Sequence, residues 1–273
     1  MQESGLRSSM HRWVDMRPSI VARGIIEMWK RRQQIEHMRP QIQEAVSHLV
    51  EGRPILFPGQ GVYVLLIDGN NQEAIEALRS EKGRRQDQRE ATVVPPSRLF
   101  TMVDFDRLNE LNPQINRGTI QRLYRAHPVG LIVPCLEEKT PPDLITYHEV
   151  NGETIPTIMN IWLARYRLYK IFWEELSRYP DALSSGSSAN RTGFPSPTRF
   201  NDAYRFRANF VASSIAVKDP HEALHFYQGS HDVLSLITNP PEVARESSVS
   251  SIKHPAEFQK FRDILPNLVI SKG

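Results

Sequence analysis

The sequence lacks the features that mark disulfide-rich, membrane-spanning and fibrous proteins. Cys135 is its only cysteine, which excludes an intrachain disulfide and a multi-cysteine zinc site. No apolar run reaches the ~18 residues that a membrane-spanning helix needs, and residues 1–13 lack the apolar stretch of a secretory signal. Glycine shows no regular repeat of the collagen type. We therefore expect a soluble, cytoplasmic protein with no membrane partner.

Net charge is also small, and its distribution is more informative than its total. The 34 Lys and Arg residues exceed the 31 Asp and Glu residues by three in a chain of 273. Residues 79–89 hold five basic and two acidic side chains, and residues 12–39 are basic as well. Such clusters are typical of solvated faces, and the alternative is contact with phosphate or nucleic acid.

Helical and strand-like segments alternate along the chain, which predicts an α/β fold. We expect residues 1–39 to form a helical extension, with an amphipathic helix over 20–36, and residues 253–273 to form a tail packed on the domain. A helix starting at Pro40 would bury one apolar stripe, followed by strands at 54–57 and 62–67 and by a helix from Asn70 or Asn71 to Gly83. Further along we predict a surface excursion at 137–156, a helix at 160–178, a small-residue loop at 184–197, and strands at 130–135, 210–217 and 249–252.

Several short motifs, taken in order, organise residues 42–252. They are Gly52, the strand-turn-strand ILFPGQGVYVLL at 55–66, Lys82-Gly83-Arg84 at a helix end, His127-Pro128-Val129 before a strand, Ser188-Ala189-Asn190 with Gly193, and Ser247-Ser248-Val249. In order and spacing they resemble the YrdC family, whose members make threonylcarbamoyl-adenylate for a tRNA modification. The resemblance implies a single YrdC-like domain over 40–252, with a twisted mixed sheet flanked by helices around a basic cleft.

The resemblance also implies an activity and the residues that perform it. The expected reaction joins ATP, bicarbonate and an amino acid or amine into a carbamoyl-type adenylate, with Mg²⁺ bridging the phosphates. Lys82 and Arg84 would neutralise carboxylate and phosphate charge, while Ser188, Asn190 and Ser247 would donate hydrogen bonds to the nucleotide phosphates. Pro58, Gln60 and Tyr63 would shape the substrate pocket. The alternatives are a solvated helix end for Lys82 and Arg84, and a flexible polar loop around Ser188.

Three departures from the family pattern point to a diverged member. The family's Pro-Thr-Asp-Thr turn is replaced by Pro58-Gly59-Gln60-Gly61, Asn160 stands where an arginine is expected, and Ile264-Leu265-Pro266-Asn267 lacks another arginine. Either the protein accepts a different substrate, in a specialised biosynthetic pathway, or it is a catalytically silent nucleotide- or RNA-binding module of the same fold.

Two other patterns offer competing functions. His221-Glu222-Ala223-Leu224-His225 matches the zinc-hydrolase motif, provided that it lies on a helix; a short amphipathic helix with Ala223 and Leu224 inward is the favoured interpretation, so we assign no metal. Trp162, Tyr166, Tyr169 and Trp173 recur beside basic residues, which suits either base stacking on RNA or the buried side of a helix. Cys135 is expected to be an inert core thiol, and Asp104 a helix cap rather than a catalytic carboxylate.

Overall fold

Two compact units divide the chain, Met1–Met38 and Arg39–Gly273. A computed structural model describes residues 20–85, 88–126, 128–163, 166–208, 215–224, 231–245 and 255–270. The described part of the first unit is helix α1 (Ile20–His37), which agrees with the predicted helix. Its apolar residues Ile25, Met28 and Trp29 are exposed.

The second unit contains ten strands and eight α-helices within its described residues. The helices are α2 (Arg39–Val50), α3 (Gln72–Lys82), α4 (Pro96–Leu99), α5 (Phe105–Leu111), α6 (Arg117–Ala126), α7 (Arg167–Leu176), α8 (Phe200–Ala208) and α9 (Pro255–Ile264). The strands are β1 (Ile55–Pro58), β2 (Tyr63–Asp68), β3 (Ala91–Thr92), β4 (Val129–Pro134), β5 (Thr146–Val150), β6 (Glu153–Trp162), β7 (Ser184–Ser188), β8 (Asp232–Ser235), β9 (Glu242–Arg245) and β10 (Val269–Ile270).

All ten strands form one mixed sheet. Its order is β1-β2-β7-β3-β6-β4-β8-β9-β10, and β5 pairs with β6 as an additional antiparallel strand. The pairs β3–β6, β4–β8 and β9–β10 are parallel, and the remaining pairs are antiparallel. Helices α2, α3, α5 and α8 contact the strands. The predicted α/β class, with a mixed sheet flanked by helices, is confirmed.

The buried stripe of α2 shows how sequence periodicity builds this core. Ile42, Ala45, Val46 and Leu49 recur at helical spacing, and all four are buried as predicted. Helix α7 packs against α2 and brings aromatic rings to the same core, where Tyr169 meets Phe57 edge to face at 5.4 Å between ring centroids.

Strand β7 corrects the prediction of a small-residue loop at 184–197. It pairs with β2 on one side and β3 on the other, so it lies inside the sheet. At Gly186 the small residue has a steric reason, because an added Cβ would lie 2.0 Å from the carbonyl oxygen of Leu65. Composition therefore indicated a loop in a segment that is a strand, in which close backbone approach leaves no room for a side chain at Gly186.

The structure also corrects two neighbouring predictions, the surface excursion at 137–156 and the helix at 160–178. Two short 3₁₀ turns (Glu137–Lys139 and Pro142–Leu144) lead into a β5–β6 hairpin. Its turn is Asn151-Gly152, with φ of 55° and 82°, the signature of a two-residue hairpin turn. Strand β6 continues to Trp162, so the helix begins only at Arg167.

Two further strand predictions fall largely outside the described residues. Of the segment 210–217, the described part includes Ala216, which forms a parallel bridge to Leu56. The strand predicted at 249–252 lies wholly outside the described residues, as do Ser247, His127 and His225.

Candidate functional site

The C-terminal end of α3 supplies the first two predicted site residues. Asn71 caps the start of this helix, its Oδ1 accepting from the Ala74 amide at 3.0 Å. Gly83 ends it in the left-handed conformation, with φ of 62°. Lys82 and Arg84 therefore flank a fixed helix end, and both line the same cleft.

Lys82 is a buried cation rather than a solvated one. Its residue surface is only 2% exposed, and its Nζ donates a hydrogen bond to the carbonyl oxygen of Ser188. Desolvation by burial, reinforced by the like charge of Arg84, lowers the pKa of Lys82 to about 7. The ammonium thus lacks a full counter-charge, which favours an anion beside it.

Arg84 is held in place by the carboxylate of Glu90. Arg84 Nη1 lies 2.8 Å from Glu90 Oε2, and the Glu90 side chain is excluded from solvent. Glu90 also partly offsets the lowering of the Lys82 pKa, although desolvation outweighs it. This contact with Glu90 holds one end of the guanidinium beside a buried carboxylate, so Arg84 stays at the cleft wall.

Strand β7 and the loop after it supply two more of the predicted site residues, Ser188 and Asn190. Ser188 Oγ donates to Asn190 Oδ1 at 2.5 Å, and Asn190 Nδ2 donates to the carbonyl oxygens of Arg191 and Phe194. The Thr192 amide donates to the Lys82 carbonyl oxygen at 2.9 Å, which ties this loop to the end of α3. The loop is therefore braced at both ends, unlike the flexible alternative.

These elements surround a cleft of about 540 Å³. Four predicted residues, Lys82, Arg84, Ser188 and Asn190, line it together. Sequence reasoning missed Arg89 and Arg245, which line it too. Arg89 was hidden within the basic cluster at 79–89, and Arg245 ends β9 two residues before the predicted Ser247.

His148 also lines the cleft and was not predicted. It lies on β5, within the segment that the sequence presented as a surface excursion. Its Nδ1 is 2.8 Å from Thr157 Oγ1 on the paired strand β6. Desolvation lowers the pKa of His148 below its usual value, so the imidazole is a neutral donor or acceptor at the cleft wall.

A smaller pocket of about 60 Å³ adjoins the cleft. The two cavities share Arg84, Met159, Ser188 and Arg245. Its apolar wall consists of Val62, Val64, Val93, Ile161, Leu163 and Tyr169. The buried Oγ of Ser187 has no hydrogen-bond partner among the described residues. A group of a few heavy atoms, mainly apolar, would fit this space.

The residues predicted to shape the substrate pocket lie apart from the two cavities. Pro58 is buried in β1, and Gln60 sits in the turn with φ of 50°. The Tyr63 hydroxyl donates to Glu222 at 2.8 Å and accepts from the Asp219 amide at 3.1 Å. Of the turn that replaces Pro-Thr-Asp-Thr, Gly59 reaches the small pocket.

Asn160 serves the sheet and not the cleft. Its Oδ1 accepts from Thr92 Oγ1 at 3.0 Å and from the Val94 amide at 3.1 Å, and its Nδ2 donates to the Tyr124 hydroxyl at 2.8 Å. Its neighbours in β6, Met159 and Ile161, reach the cavities instead. The side chain at the expected arginine position is therefore a satisfied core amide.

The competing patterns take structural roles over the described residues. Glu222 begins a 3₁₀ turn, Glu222–Leu224, instead of lying on an α-helix, and its carboxylate also accepts from the Phe200 amide at 2.8 Å. Ala223 is exposed, contrary to the predicted inward face. Trp162, Tyr166 and Tyr169 are buried, which supports the core interpretation of that stripe.

Two further expectations from the sequence are met. Asp104 caps α5 through a hydrogen bond from the Arg107 amide. The Cys135 thiol is buried, and desolvation raises its pKa to about 12, as expected for an inert core thiol.

Metal binding was tested against the same described residues. They contain no group of three His, Cys, Asp or Glu side chains placed to hold a metal ion. The cleft-lining carboxylate of Glu90 is already paired with Arg84. A Mg²⁺ ion in this cleft would accordingly depend on nucleotide phosphates for most of its ligands.

Within the described part of the chain, no helix has both the length and the apolar character needed to cross a membrane.

Solved structures share this fold. P. abyssi Sua5 complexed with L-threonine superposes with a TM-score of 0.61 at 17% identity, over 85% of this chain and 59% of that chain. E. coli YciO superposes with a TM-score of 0.60 at 16% identity, over 79% of this chain and 92% of that chain. Full-length HypF, in its phosphate- and nucleotide-bound form, superposes with a TM-score of 0.57 at 15% identity, over 76% of this chain and 29% of that chain.

These likenesses confirm the predicted YrdC-like fold. At such low identity they concern the fold alone, and this chain spans less than three fifths of the length of the Sua5 chains. No family model matches the sequence, and no curated protein matches it.

Proposed function

We propose that the protein forms a carbamoyl-type adenylate from ATP, bicarbonate and a small amino acid or amine. The observation that carries the proposal is the convergence of Lys82, Arg84, Ser188 and Asn190 on one cleft, with Arg89 and Arg245 beside them. Cations and short donors in a partly dehydrated cleft suit a triphosphate and a carboxylate that must react with each other.

The reaction needs two balanced steps. The amine and bicarbonate combine to a carbamate with loss of water. One carbamate oxygen then attacks the α-phosphorus of ATP, and the bond to the β-phosphate oxygen breaks to release pyrophosphate. Lys82 and Arg84 would neutralise the carbamate and the α-phosphate, which otherwise repel each other, while Ser188 and Asn190 would hold phosphate oxygens. Mg²⁺, bound to the nucleotide, would neutralise the departing pyrophosphate.

The small pocket gives the amine substrate a place for its side chain. It opens beside Arg84 and Arg245, which would hold a carboxylate at its mouth, while valine, isoleucine and leucine side chains surround its interior. A compact side chain of a few carbons fits this wall better than a charged or long one. P. abyssi Sua5 was solved with L-threonine, which supports an amino acid as the substrate class. By the same resemblance, tRNA modification is the pathway that we propose, and RNA a further partner.

The test measures pyrophosphate release from MgATP and bicarbonate with a panel of amino acids and small amines. We expect release that requires both bicarbonate and an amine, and an adenylate detectable by mass spectrometry. Arg84→Ala should abolish it, whereas Arg122→Ala, which removes an exposed arginine of α6, should not. ATP binding without pyrophosphate release from any amine would reject the enzyme and favour the silent nucleotide-binding module.

A further inference from the structure

Besides the cleft and the small pocket, a second large cavity, of about 530 Å³, lies beside the cleft. It shares Asn190, Phe194 and Ser196 with the cleft, so the two spaces adjoin along this loop. The loop between β7 and α8 forms the partition. A nucleotide whose phosphates meet Lys82 and Arg84 would direct its base and ribose toward a neighbouring space of this kind.

Phe194 stands on this partition with its ring open to solvent. The residue is 66% exposed, and no other described residue makes an aromatic or cation–π contact with its ring. Scattered exposed apolar residues are ordinary on protein surfaces. This one differs because it lines two cavities at once and belongs to the loop that carries Asn190.

The backbone around Phe194 is fixed even though its ring is exposed. The Phe194 amide donates to the Arg191 carbonyl oxygen at 3.1 Å, and the Phe194 carbonyl oxygen accepts from Asn190 Nδ2. Gly193 takes the left-handed conformation with φ of 86°, which only glycine adopts without strain. The ring is therefore presented from a defined turn, as a stacking platform requires.

The rest of the second cavity suits a planar base with polar edges. Phe206, Pro195 and Pro197 provide further apolar surface, and Arg191, Thr198 and Asp202 provide hydrogen-bonding groups. A carboxylate can accept from an exocyclic amino group, and a hydroxyl or guanidinium can donate to a ring nitrogen. Stacking against Phe194 would hold the face of the base while these groups meet its edge.

We propose that Phe194 is the stacking platform for the purine base of the nucleotide, with the base in this second cavity. The inference rests on the proposed function, because it takes the phosphates to lie in the cleft with Lys82 and Arg84. Phe194 is a positioning residue here: it orients the nucleotide so that the α-phosphate faces the carbamate.

The experiment compares ATP with inorganic tripolyphosphate, which has the phosphates but no base. Phe194→Ala should weaken ATP binding about 10- to 100-fold and leave tripolyphosphate binding unchanged. Phe194→Trp should keep ATP affinity, and ATP but not tripolyphosphate should quench the added indole fluorescence. Tyr179→Trp, at another exposed aromatic position, is the matched control and should show no quenching.

Each other outcome decides against one part of the reasoning. Unchanged ATP affinity in Phe194→Ala overturns the stacking role and leaves the proposed function intact. Equal losses for ATP and tripolyphosphate overturn it as well, because they show a disturbed loop instead of a lost stack. If ATP binding depends on Phe194 but wild-type protein does not bind tripolyphosphate, stacking stands and the phosphate site fails. Failure of wild-type protein to bind ATP overturns both.

Discussion

Replacing Lys82 with methionine should stabilise the fold and impair the site at the same time. The buried ammonium has a pKa of about 7 in place of 10.5. Each tenfold change in proton affinity corresponds to about 1.4 kcal/mol, so the charged form carries a cost of roughly 5 kcal/mol at low pH. Methionine removes this cost but loses the hydrogen bond to Ser188, whose carbonyl oxygen still accepts from the Asn190 amide. We expect Lys82→Met to raise the free energy of unfolding by about 2–4 kcal/mol at pH 6.5.

The pH dependence separates this explanation from better packing alone. Above the unfolded pKa of 10.5, Lys82 is neutral in both states and costs nothing. As pH falls toward 7, the unfolded chain takes up a proton that the folded protein resists, so wild-type stability falls; below 7 the penalty is constant. The advantage of Lys82→Met should therefore shrink by about 3 kcal/mol between pH 6.5 and 9.5.

Urea unfolding of wild type, Lys82→Met and Lys170→Met at both pH values is the assay. Lys170 is exposed on α7, so its substitution should change stability little at either pH. Tripolyphosphate affinity should fall at least tenfold in Lys82→Met and remain unchanged in Lys170→Met. A Lys82→Met protein less stable than wild type at pH 6.5, or a difference independent of pH, would refute the buried-cation argument.

Substitutions at Gly186 and Glu222, with Gly152→Ala as a control, test the sheet and the zinc-like motif. Gly186→Ala should lower the free energy of unfolding, measured with urea, by more than about 3 kcal/mol, because the new Cβ meets the Leu65 carbonyl oxygen. Gly152→Ala has no such neighbour and should lower it by about 1 kcal/mol, from its positive φ alone. Equal losses in the two variants would contradict the steric argument. Glu222→Ala should cost about 1–3 kcal/mol, because the Tyr63 hydroxyl and the Phe200 amide lose their acceptor. Added zinc should leave wild-type stability unchanged, and a rise in the unfolding midpoint with zinc would restore the metal-site interpretation.

The sequence predicted well wherever local chemistry decides local structure. The stripe of α2, the Asn71 cap and the Gly83 stop of α3 are confirmed because periodicity and capping act over a few residues. Lys82, Arg84, Ser188 and Asn190 line one cleft in the order that the motifs implied, since each ends a regular element or lies within two residues of its end.

The errors arise where tertiary packing overrides composition. Strand β7 looks like a loop because its residues are small, and at Gly186 the reason is the backbone of β2, which is distant in sequence. Arg89 and Arg245 escaped notice because nothing in a linear sequence shows that the start of β3 and the end of β9 lie beside the same cleft. The Asn151-Gly152 turn was the available signal that was overlooked.

The departures from the family pattern have unequal consequences for the proposed chemistry. At position 160 the amide is used by the sheet, and Arg89 and Arg245 supply positive charge to the cleft. At the turn, Gly59 borders the small pocket, and none of the described residues that line this pocket carries a carboxylate to replace the lost one. The Ser187 hydroxyl, which has no hydrogen-bond partner in the described part of the chain, lines the same pocket beside aliphatic side chains. Divergence therefore concentrates at the proposed amine side chain, while the groups suited to phosphate remain together. A general loss of the site does not account for this asymmetry, because decay would not spare one half. A change of substrate and a catalytically silent nucleotide-binding module both account for it, and pyrophosphate release with the panel of amines separates the two.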